Sequence, residues 1–241
     1  GKAGSGMHIH MRLMKDGKNV TLGPDNKLSR EARRAIAGLM TMARSITAFG
    51  NKNPTSCFRL VPHQEAPTNV CWGDSNRSAL VRVPLGWNSG VDMCAATNPK
   101  EESIPRDTTG KQTFEMRSPD CSADAYQLMA GLCTACRIGL EMPEEEALRL
   151  AKEKYVSMDI HKKENAAKLA TLEQLPTCCT ESADALEAVR SSYEAMDVFR
   201  PRMIDGILKA LRSYDDGNLH EAALKDENLM RKLVDKYYYC G

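Results

Sequence analysis

Hydrophobic and polar residues alternate near the start of the chain, over residues 7–14 with the sequence Met-His-Ile-His-Met-Arg-Leu-Met. A period of two places successive side chains on opposite faces and therefore predicts a β-strand. Residues 15–19 have the composition of a tight turn and predict a hairpin. Two further strands are predicted over residues 78–83 and 111–117.

Helical spacing of apolar residues dominates the rest of the chain. Ser29 is the predicted N-cap of a first helix, which runs to about Gly50. Further helices are predicted over residues 123–140, from 144 onward, and over about 161–174, 181–196, 201–214 and 219–237. The proline-rich segment 51–69 and the Gly- and Asn-rich segment 86–110 predict irregular connections. The predicted fold class is α+β, with a helical C-terminal half.

The charges of the chain nearly cancel, with 33 Lys and Arg residues against 32 Asp and Glu residues. This balance gives no chain-wide field that would attract nucleic acid or a membrane surface, so we predict neither partner. No apolar run approaches 18 residues, and the first residues lack the apolar core of a signal peptide. A soluble, cytoplasmic protein is therefore expected.

The nine cysteines are an odd number at irregular spacing and do not resemble a secreted disulfide framework, so reduced thiols are predicted. Cys133, Cys136, Cys178 and Cys179 form an alternative set of four zinc ligands. Because Cys133 and Cys136 lie in an apolar helical stretch where small buried thiols are common, we favour a packing role.

The candidate chemistry lies on the polar faces of two predicted strands. Side chains two residues apart share a strand face, so His8, His10 and Arg12 point the same way. Glu115 and Arg117 follow the same parity in the strand over 111–117. Imidazole and carboxylate groups ligate divalent cations and guanidinium groups bind phosphate oxygens, so this set predicts a site for a metal-bound polyphosphate. The alternative is a solvent-exposed face with cross-strand salt bridges.

Three more arginines, Arg59, Arg77 and Arg82, lie near proline-rich loops and strand ends. Cations clustered around few carboxylates repel one another unless an anion is bound, although solvated strand ends are the alternative for each residue alone. A catalytic Mg or Mn ion prefers several carboxylate oxygens, and only Glu115 with one histidine is a convincing ligand pair. We therefore expect further carboxylate ligands to lie outside this chain.

Four motifs, in order, resemble those of the glutamine synthetase family. They are Gly-Ser-Gly-Met-His-Ile-His at 4–10, Arg-Leu-Val-Pro with Glu-Ala-Pro at 59–67, Asn-Arg-Ser-Ala with Arg-Val-Pro at 76–84, and Phe-Glu-Met-Arg-Ser-Pro-Asp with Ser-Ala at 114–123. The resemblance identifies residues 1–142 as the C-terminal part of the catalytic domain and residues 143–241 as its helical end. It implies part of the curved antiparallel sheet shared by glutamine synthetase and guanido kinase catalytic domains, with the site on the polar face.

The resemblance implies metal and nucleotide contacts for four residues. His8 and Glu115 would bind the Mg or Mn ion that bridges the nucleotide phosphates. His10 and Arg82 would lie near those phosphates. The substrate nucleotide implied is ATP.

The resemblance also implies catalytic and substrate-binding roles. Arg59 would hold the carboxylate of glutamate, and Arg77, Arg82 and Arg117 would neutralise the transferred phosphoryl group. Glu65 would lie on a loop that closes over the site and would position or deprotonate ammonium. In the implied reaction, glutamate attacks the terminal phosphate of ATP, and ammonia then displaces phosphate from γ-glutamyl phosphate.

The family's active sites form between subunits of hexameric rings, so the resemblance implies a homo-oligomer. The family's N-terminal β-grasp domain and most of its metal-binding glutamates would lie upstream of Gly1. We therefore expect this chain, when isolated, to be an inactive C-terminal fragment.

Two alternatives stay within the superfamily. A glutamate–amine ligase of the γ-glutamylpolyamine type would use the same residues with an organic amine. A non-catalytic structural relative is disfavoured because His8, Glu65, Glu115 and Arg117 are all intact. Guanidino kinases also place arginines around ATP but lack the ordered motifs.

The sequence departs from the family pattern at several positions. Ala3 stands where many members have an Asn that contacts the amino-acid substrate. Thr113 stands where a further Arg is common, so one phosphate contact is lost unless Lys111 replaces it. Arg12 occupies a position where a small residue near the nucleotide is common, and segment 86–110 is longer than in many relatives. These departures predict a divergent subfamily.

Overall fold

A computed structural model describes residues 6–25, 27–60, 66–85, 96–100, 102, 109–195 and 197–239. Glu65 and Ala3 lie outside the described residues, as does most of the predicted connection 86–110. The other predicted site residues are all described.

A four-stranded sheet forms the centre of the fold, with the strands in the order β1-β6-β5-β4. The strands are β1 (Ile9–Met11), β4 (Trp72–Asp74), β5 (Val81–Val83) and β6 (Phe114–Met116). The predicted antiparallel pairing holds for β1 with β6 and for β5 with β6, while β4 and β5 run parallel. The mixed sheet and the helices around it confirm the α+β class.

The predicted hairpin is present, but it is separate from the sheet. It consists of β2 (Met14–Lys15) and β3 (Lys18–Asn19), which pair antiparallel. The two turn residues, Asp16 and Gly17, have φ values of 49° and 74°. A type I′ turn has positive φ at both central residues, and its twist matches that of a two-residue hairpin. Gly and Asp tolerate positive φ.

Strand β4 was not predicted, because Gly73 and Asp74 have low strand propensity. Its glycine has a packing reason: a Cβ at Gly73 would lie 2.2 Å from the carbonyl oxygen of Val156. The segment around Val156 runs along β4, where the Val156 amide donates to the Trp72 carbonyl at 2.8 Å. A glycine permits this close backbone approach at the end of the sheet.

The long helix α1 (Arg30–Gly50) begins at the predicted cap, where the Ser29 hydroxyl accepts a hydrogen bond from the Ala32 amide at 3.0 Å. The short helix α2 (Pro54–Cys57) lies in the segment predicted to be irregular. The other helices are α3 (Ala125–Glu141), α4 (Glu144–Glu153), α5 (Ala166–Ala170), α6 (Cys179–Ala188), α7 (Arg190–Glu194), α8 (Pro201–Arg212), α9 (Leu219–Lys225) and α10 (Glu227–Tyr237). Within the described residues, no helix combines the length and the apolar character that a membrane crossing requires.

Three helices predicted as single elements are shorter or divided. The segment predicted over 161–174 forms a 3₁₀ turn at Lys163–Asn165 followed by α5. The segment over 181–196 divides into α6 and α7, and the segment over 219–237 divides into α9 and α10. At the last break, the Asp226 side chain accepts from the Asn228 and Leu229 amides, which caps α10. Asp is a strong N-cap, so a new helix begins there.

Helix α1 buries the apolar face of the sheet. Phe114 and Met116 of β6 are fully buried and share one core with Ile36 and Leu39 of α1. Burial of side chains of this size contributes roughly 1.5–3 kcal/mol each relative to exposure. Because side chains alternate along β6, Glu115 is left on the opposite face.

Helices α1 and α3 cross at two glycines. A Cβ at Gly38 would lie 1.9 Å from the Ala135 carbonyl oxygen, and a Cβ at Gly139 would lie 2.0 Å from the Arg34 carbonyl oxygen. Both clashes are with backbone, which cannot rotate away as a side chain can. The crossing therefore requires glycine on both helices.

Gly38→Ala is expected to lower the free energy of unfolding by about 3 kcal/mol, because the methyl group forces α1 and α3 apart. The measurement is urea denaturation followed by circular dichroism. Gly206→Ala in α8 is the control, because a Cβ there meets no atom within 4 Å. That change should raise the unfolding free energy by about 0.5–1 kcal/mol, since alanine favours a helix interior. Equal effects of the two substitutions would contradict the close crossing.

The cysteine thiols differ in exposure, which bears on the predicted reduced state. Cys133 is exposed, whereas Cys71 and Cys136 are buried. Burial raises the pKa of Cys71 to about 11 and that of Cys136 to about 12. The described residues contain no group of three or more Cys, His, Asp or Glu side chains suited to a metal ion, so the zinc alternative gains no support.

Iodoacetamide at pH 8 is expected to modify Cys133 at least about tenfold faster than Cys71 or Cys136 in the native protein, because the thiolate is the reactive form. Peptide mass spectrometry after timed labelling gives the three rates. The difference should vanish in 8 M urea. Equal native rates would show that the two thiols are not in the core.

Candidate active site

The register of three strands brings the central site residues together. Glu115 lies in the middle of β6, opposite His10 of β1 on one side and Arg82 of β5 on the other. The Glu115 side chain is fully buried, with Oε2 2.8 Å from His10 Nε2 and Oε1 2.9 Å from Arg82 Nε. One carboxylate therefore lies between an imidazole and a guanidinium.

Two more predicted residues approach the same carboxylate. His8 Nδ1 lies 3.8 Å from Glu115 Oε1, and Arg117 Nε lies 3.4 Å from that oxygen. His8 lies two positions before His10, and Arg117 lies two positions after Glu115. Their side chains therefore share a sheet face with His10 and Glu115. The structure thus brings His8, His10, Arg82 and Arg117 around Glu115 on one face of the sheet.

Arg117 is fixed by backbone oxygens as well as by charge. Its Nη1 donates to the Arg77 carbonyl and to the Ala79 carbonyl, the latter at 3.2 Å. Burial, followed by the positive charge of Arg82, lowers the pKa of Arg117, while Glu115 opposes the shift. Arg117 is therefore a buried cation close to a second cation, Arg82.

Arg59 lies beside the same face. Its Nη2 donates to the Ser118 carbonyl and to the Pro119 carbonyl, the latter at 2.9 Å. A Cβ at Gly6 would lie 3.1 Å from Arg59 Nη1 and 3.8 Å from His8 Nε2. The glycine of the first motif thus gives Arg59 room next to His8.

A cavity of about 600 Å³ opens beside the carboxylate. Its lining includes His10, Arg77, Arg82, Lys111 and Thr113, and we call it the basic cavity. The Thr113 hydroxyl lies 2.9 Å from His10 Nδ1, which orients the opposite ring nitrogen toward Glu115. Sequence reasoning missed this contact, because it depends on the register of β1 against β6.

A larger cavity of about 740 Å³ lies around Trp72 and Tyr155. It shares Ser75, Pro84, Leu85 and Gln112 with the basic cavity, but none of the predicted site residues line it. The larger cavity is therefore not the one lined by the predicted site residues, and the basic cavity is the candidate site.

Glu115 and His8 fit two positions of an Mg or Mn coordination shell. Both carboxylate oxygens of Glu115 are buried and, among the described residues, neither has a well-aligned hydrogen-bond donor, although cations lie close. Burial, followed by the charge of Arg117, lowers the pKa of His8, which favours the neutral imidazole that ligates metals. The part of the chain that the structure describes supplies no third ligand in a metal-binding arrangement, so the set is incomplete.

Comparison with known proteins decides the family. Residues 1–222 match the family model described as the catalytic domain of glutamine synthetase. The chain belongs to the glutamine synthetase family. It is 32% identical over 214 residues to a glutamine synthetase of Pyrococcus abyssi, covering 89% of this chain and 43% of the relative.

Other relatives agree with this assignment to the glutamine synthetase family. A glutamine synthetase of Frankia alni is 33% identical over 211 residues, which cover 87% of this chain and 39% of that protein. The structure of Plasmodium falciparum glutamine synthetase shares the fold, with a TM-score of 0.63 at 21% identity, over 89% of this chain and 44% of that one. The chain thus spans about two fifths of the length of the relatives it matches. Neither the amine-ligase alternative nor the non-catalytic one gains support from these relatives.

Proposed function

We propose that this chain contributes to an ATP-dependent glutamate–ammonia ligase that forms glutamine by way of γ-glutamyl phosphate. The convergence of His8, His10, Arg82 and Arg117 on the buried Glu115 carries the proposal. The relatives are named glutamine synthetases, which supports glutamine as the product; glutamate, ammonium and ATP are the proposed substrates.

Glu115 and His8 are the proposed ligands of an Mg or Mn ion. When bound, such an ion neutralises phosphate charge and helps to align the transferred group. The oxygens of Glu115 support this role because they are buried and, among the described residues, accept no well-aligned hydrogen bond, so a metal ion could bind them in addition to the cations nearby. His10 and Arg82 are the proposed contacts to the nucleotide phosphates.

The arginines are proposed to stabilise charge that develops during phosphoryl transfer. Arg77, Arg82 and Arg117 lie around the basic cavity or its carboxylate, where their guanidiniums would neutralise the transferred phosphoryl group and the acyl phosphate. Arg59 is proposed to bind the glutamate carboxylate. Glu65 is proposed to position or deprotonate ammonium, and it lies outside the described residues.

The ligase proposal extends to the whole assembly. We propose a homo-oligomer built from hexameric rings in the cytoplasm, with residues 143–241 as the helical end of the catalytic domain. Light scattering coupled to size-exclusion chromatography of the complete polypeptide would measure its mass. A monomer active at assay concentration would remove the oligomer from the proposal.

The test of the reaction is trapping of the acyl phosphate. The complete polypeptide that contains these residues, with glutamate, MgATP and hydroxylamine, should form glutamyl hydroxamate, and omission of ATP or of the metal should abolish it. Ammonium should compete with hydroxylamine for the intermediate. Absence of hydroxamate from a folded, nucleotide-binding protein would remove the ligase proposal.

A further inference from the structure

The backbone of Arg59, the proposed ligand of the glutamate carboxylate, continues the last turn of the short helix α2. The Arg59 amide donates to the Ser56 carbonyl at 3.3 Å, and the Leu60 amide donates to the Cys57 carbonyl at 3.0 Å. These hydrogen bonds join Arg59 to α2 as one backbone unit. A shift of α2 would therefore move the base of the Arg59 side chain with it.

Helix α2 is fixed at its start and along one side. The Asn53 side chain accepts a hydrogen bond from the Ser56 amide at 3.1 Å, which caps the helix. The Ser56 hydroxyl lies 2.9 Å from the Ser122 hydroxyl. Ser122 belongs to the loop whose backbone carbonyls accept hydrogen bonds from Arg59. This side of α2 is thus attached to the same loop as the Arg59 guanidinium.

The C-terminal helices α9 and α10 also contact α2. The ring of His220 in α9 stacks on the ring of Phe58, with the two centroids 4.9 Å apart and the planes at 27°. Phe58 is the C-cap residue of α2 and immediately precedes Arg59. Stacked aromatic rings at this spacing attract each other beyond the effect of the area that they bury. A residue far along the chain therefore holds the end of α2 from which Arg59 emerges.

The turn that carries His220 is anchored in the core. Asp216 is buried, and its carboxylate accepts a hydrogen bond from the Cys179 amide at 2.8 Å, at the start of α6. A carboxylate is stabilised at a helix N-terminus by the unpaired amides and the helix dipole. The Asp216 carbonyl in turn accepts from the Leu219 amide at 3.0 Å, where α9 begins. His220, one residue later, is therefore presented to α2 from a fixed turn.

We propose that His220 is a positioning residue for the glutamate site, because its stack on Phe58 fixes the last turn of α2 and with it the backbone of Arg59. The inference rests on the proposed function, which assigns the glutamate carboxylate to Arg59. His220 acts through Phe58 rather than on the substrate itself. Glutamate affinity should therefore depend on the His220 ring. Nucleotide affinity should not, because the proposed phosphate contacts His10 and Arg82 lie on strands of the sheet.

The test is calorimetric titration of the complete polypeptide with L-glutamate and, separately, with MgATP. His220→Ala is expected to weaken glutamate binding about fivefold, the size of effect of one aromatic pair, and to leave MgATP binding within about twofold of the wild type. His220→Phe should keep glutamate affinity within about twofold of the wild type, because the stacked ring remains. Glu221→Ala, at the adjacent exposed residue of α9, is the control and should change neither affinity.

Hydrogen exchange measures the effect on α2 in the absence of substrate. The amides of residues 56–60 should exchange faster in His220→Ala than in the wild type or in His220→Phe, because the packing that opposes local opening is weaker. Peptide mass spectrometry after timed exchange gives these rates. Weaker glutamate binding with unchanged exchange in this segment would show that the effect does not pass through α2, and the positioning role would be overturned.

The outcomes separate this inference from the ligase proposal. Unchanged glutamate binding in His220→Ala, equal losses in His220→Ala and His220→Phe, or no glutamate binding by the wild type would overturn the role of His220. Glutamate affinity that depends on the ring would support that role even if no glutamyl hydroxamate forms, and only the ligase proposal would then fall. Hydroxamate formation with glutamate affinity independent of His220 would overturn the positioning role and leave the ligase proposal in place.

Discussion

Glu115→Gln is expected to lower hydroxamate formation by the complete polypeptide about 10³-fold or more, because the substitution removes a proposed metal ligand and the negative charge that faces Arg82 and Arg117. Glutamine has nearly the same shape, so the loss would reflect charge rather than volume. The same change should weaken Mn²⁺ binding, measured by electron paramagnetic resonance of the free ion. Activity within tenfold of the wild type would contradict the central role of this carboxylate.

Glu115→Gln should also destabilise the ligand-free protein. The substitution removes the negative charge that faces Arg82 and Arg117 in a buried cluster, at a cost of about 3 kcal/mol. Glu141→Gln is the matched control, because Glu141 forms an exposed pair with Arg137 on α3. We expect the control to leave both the activity and the urea midpoint unchanged, since exposed pairs contribute little.

Arg117→Lys is expected to lower the turnover number about 10²-fold to 10³-fold, the size of effect seen when one transition-state donor is removed. The lysine keeps the charge but has a single nitrogen. It cannot donate to the Arg77 and Ala79 carbonyls and still reach Glu115, as the guanidinium does. Steady-state assays over glutamate and ATP concentrations would give the turnover number and both Michaelis constants separately.

The stability of Arg117→Lys gives a second measurement. The Arg117 side chain is only 5% exposed. Loss of its hydrogen bonds to the Arg77 and Ala79 carbonyls should therefore cost about 2 kcal/mol of unfolding free energy. Arg137→Lys is the control, because Arg137 is exposed on α3 and pairs only with Glu141 among the contacts described for it. A variant at Arg117 that matches the control in both turnover and stability would show that the guanidinium shape has no role.

Strand parity made much of the site predictable. The alternation in residues 7–14 and 111–117 placed His8, His10, Glu115 and Arg117 on polar faces, and the structure has them on one face. The parity follows from local geometry alone. The α+β class was predictable for the same reason, since periods of two and 3.6 are visible in the sequence.

The partners of each residue depended on tertiary register. Nothing in the residues themselves required His10 to lie opposite Glu115, or Arg82 to lie opposite the same residue, rather than one position along. The contact between Thr113 and His10 follows from that register and was therefore missed. The motif resemblance supplied roles, but it could not supply these distances.

Local exceptions to periodicity explain the remaining differences. Strand β4 is held by backbone contact with the segment around Val156 rather than by its own propensity. The break before α10 depends on one capping residue, Asp226, inside an otherwise continuous helical pattern. Such features are set by a few specific hydrogen bonds, which averaged patterns do not reveal.

His8 and Glu115 are proposed to belong to one metal site in contact with a polyphosphate. Crystals of the complete polypeptide grown with Mn²⁺ and a non-hydrolysable ATP analogue would test it by anomalous scattering. We expect a manganese peak bonded to both His8 and Glu115, with Arg82 in contact with a phosphate oxygen of the analogue. A peak bonded to neither residue, with the analogue bound elsewhere, would contradict it.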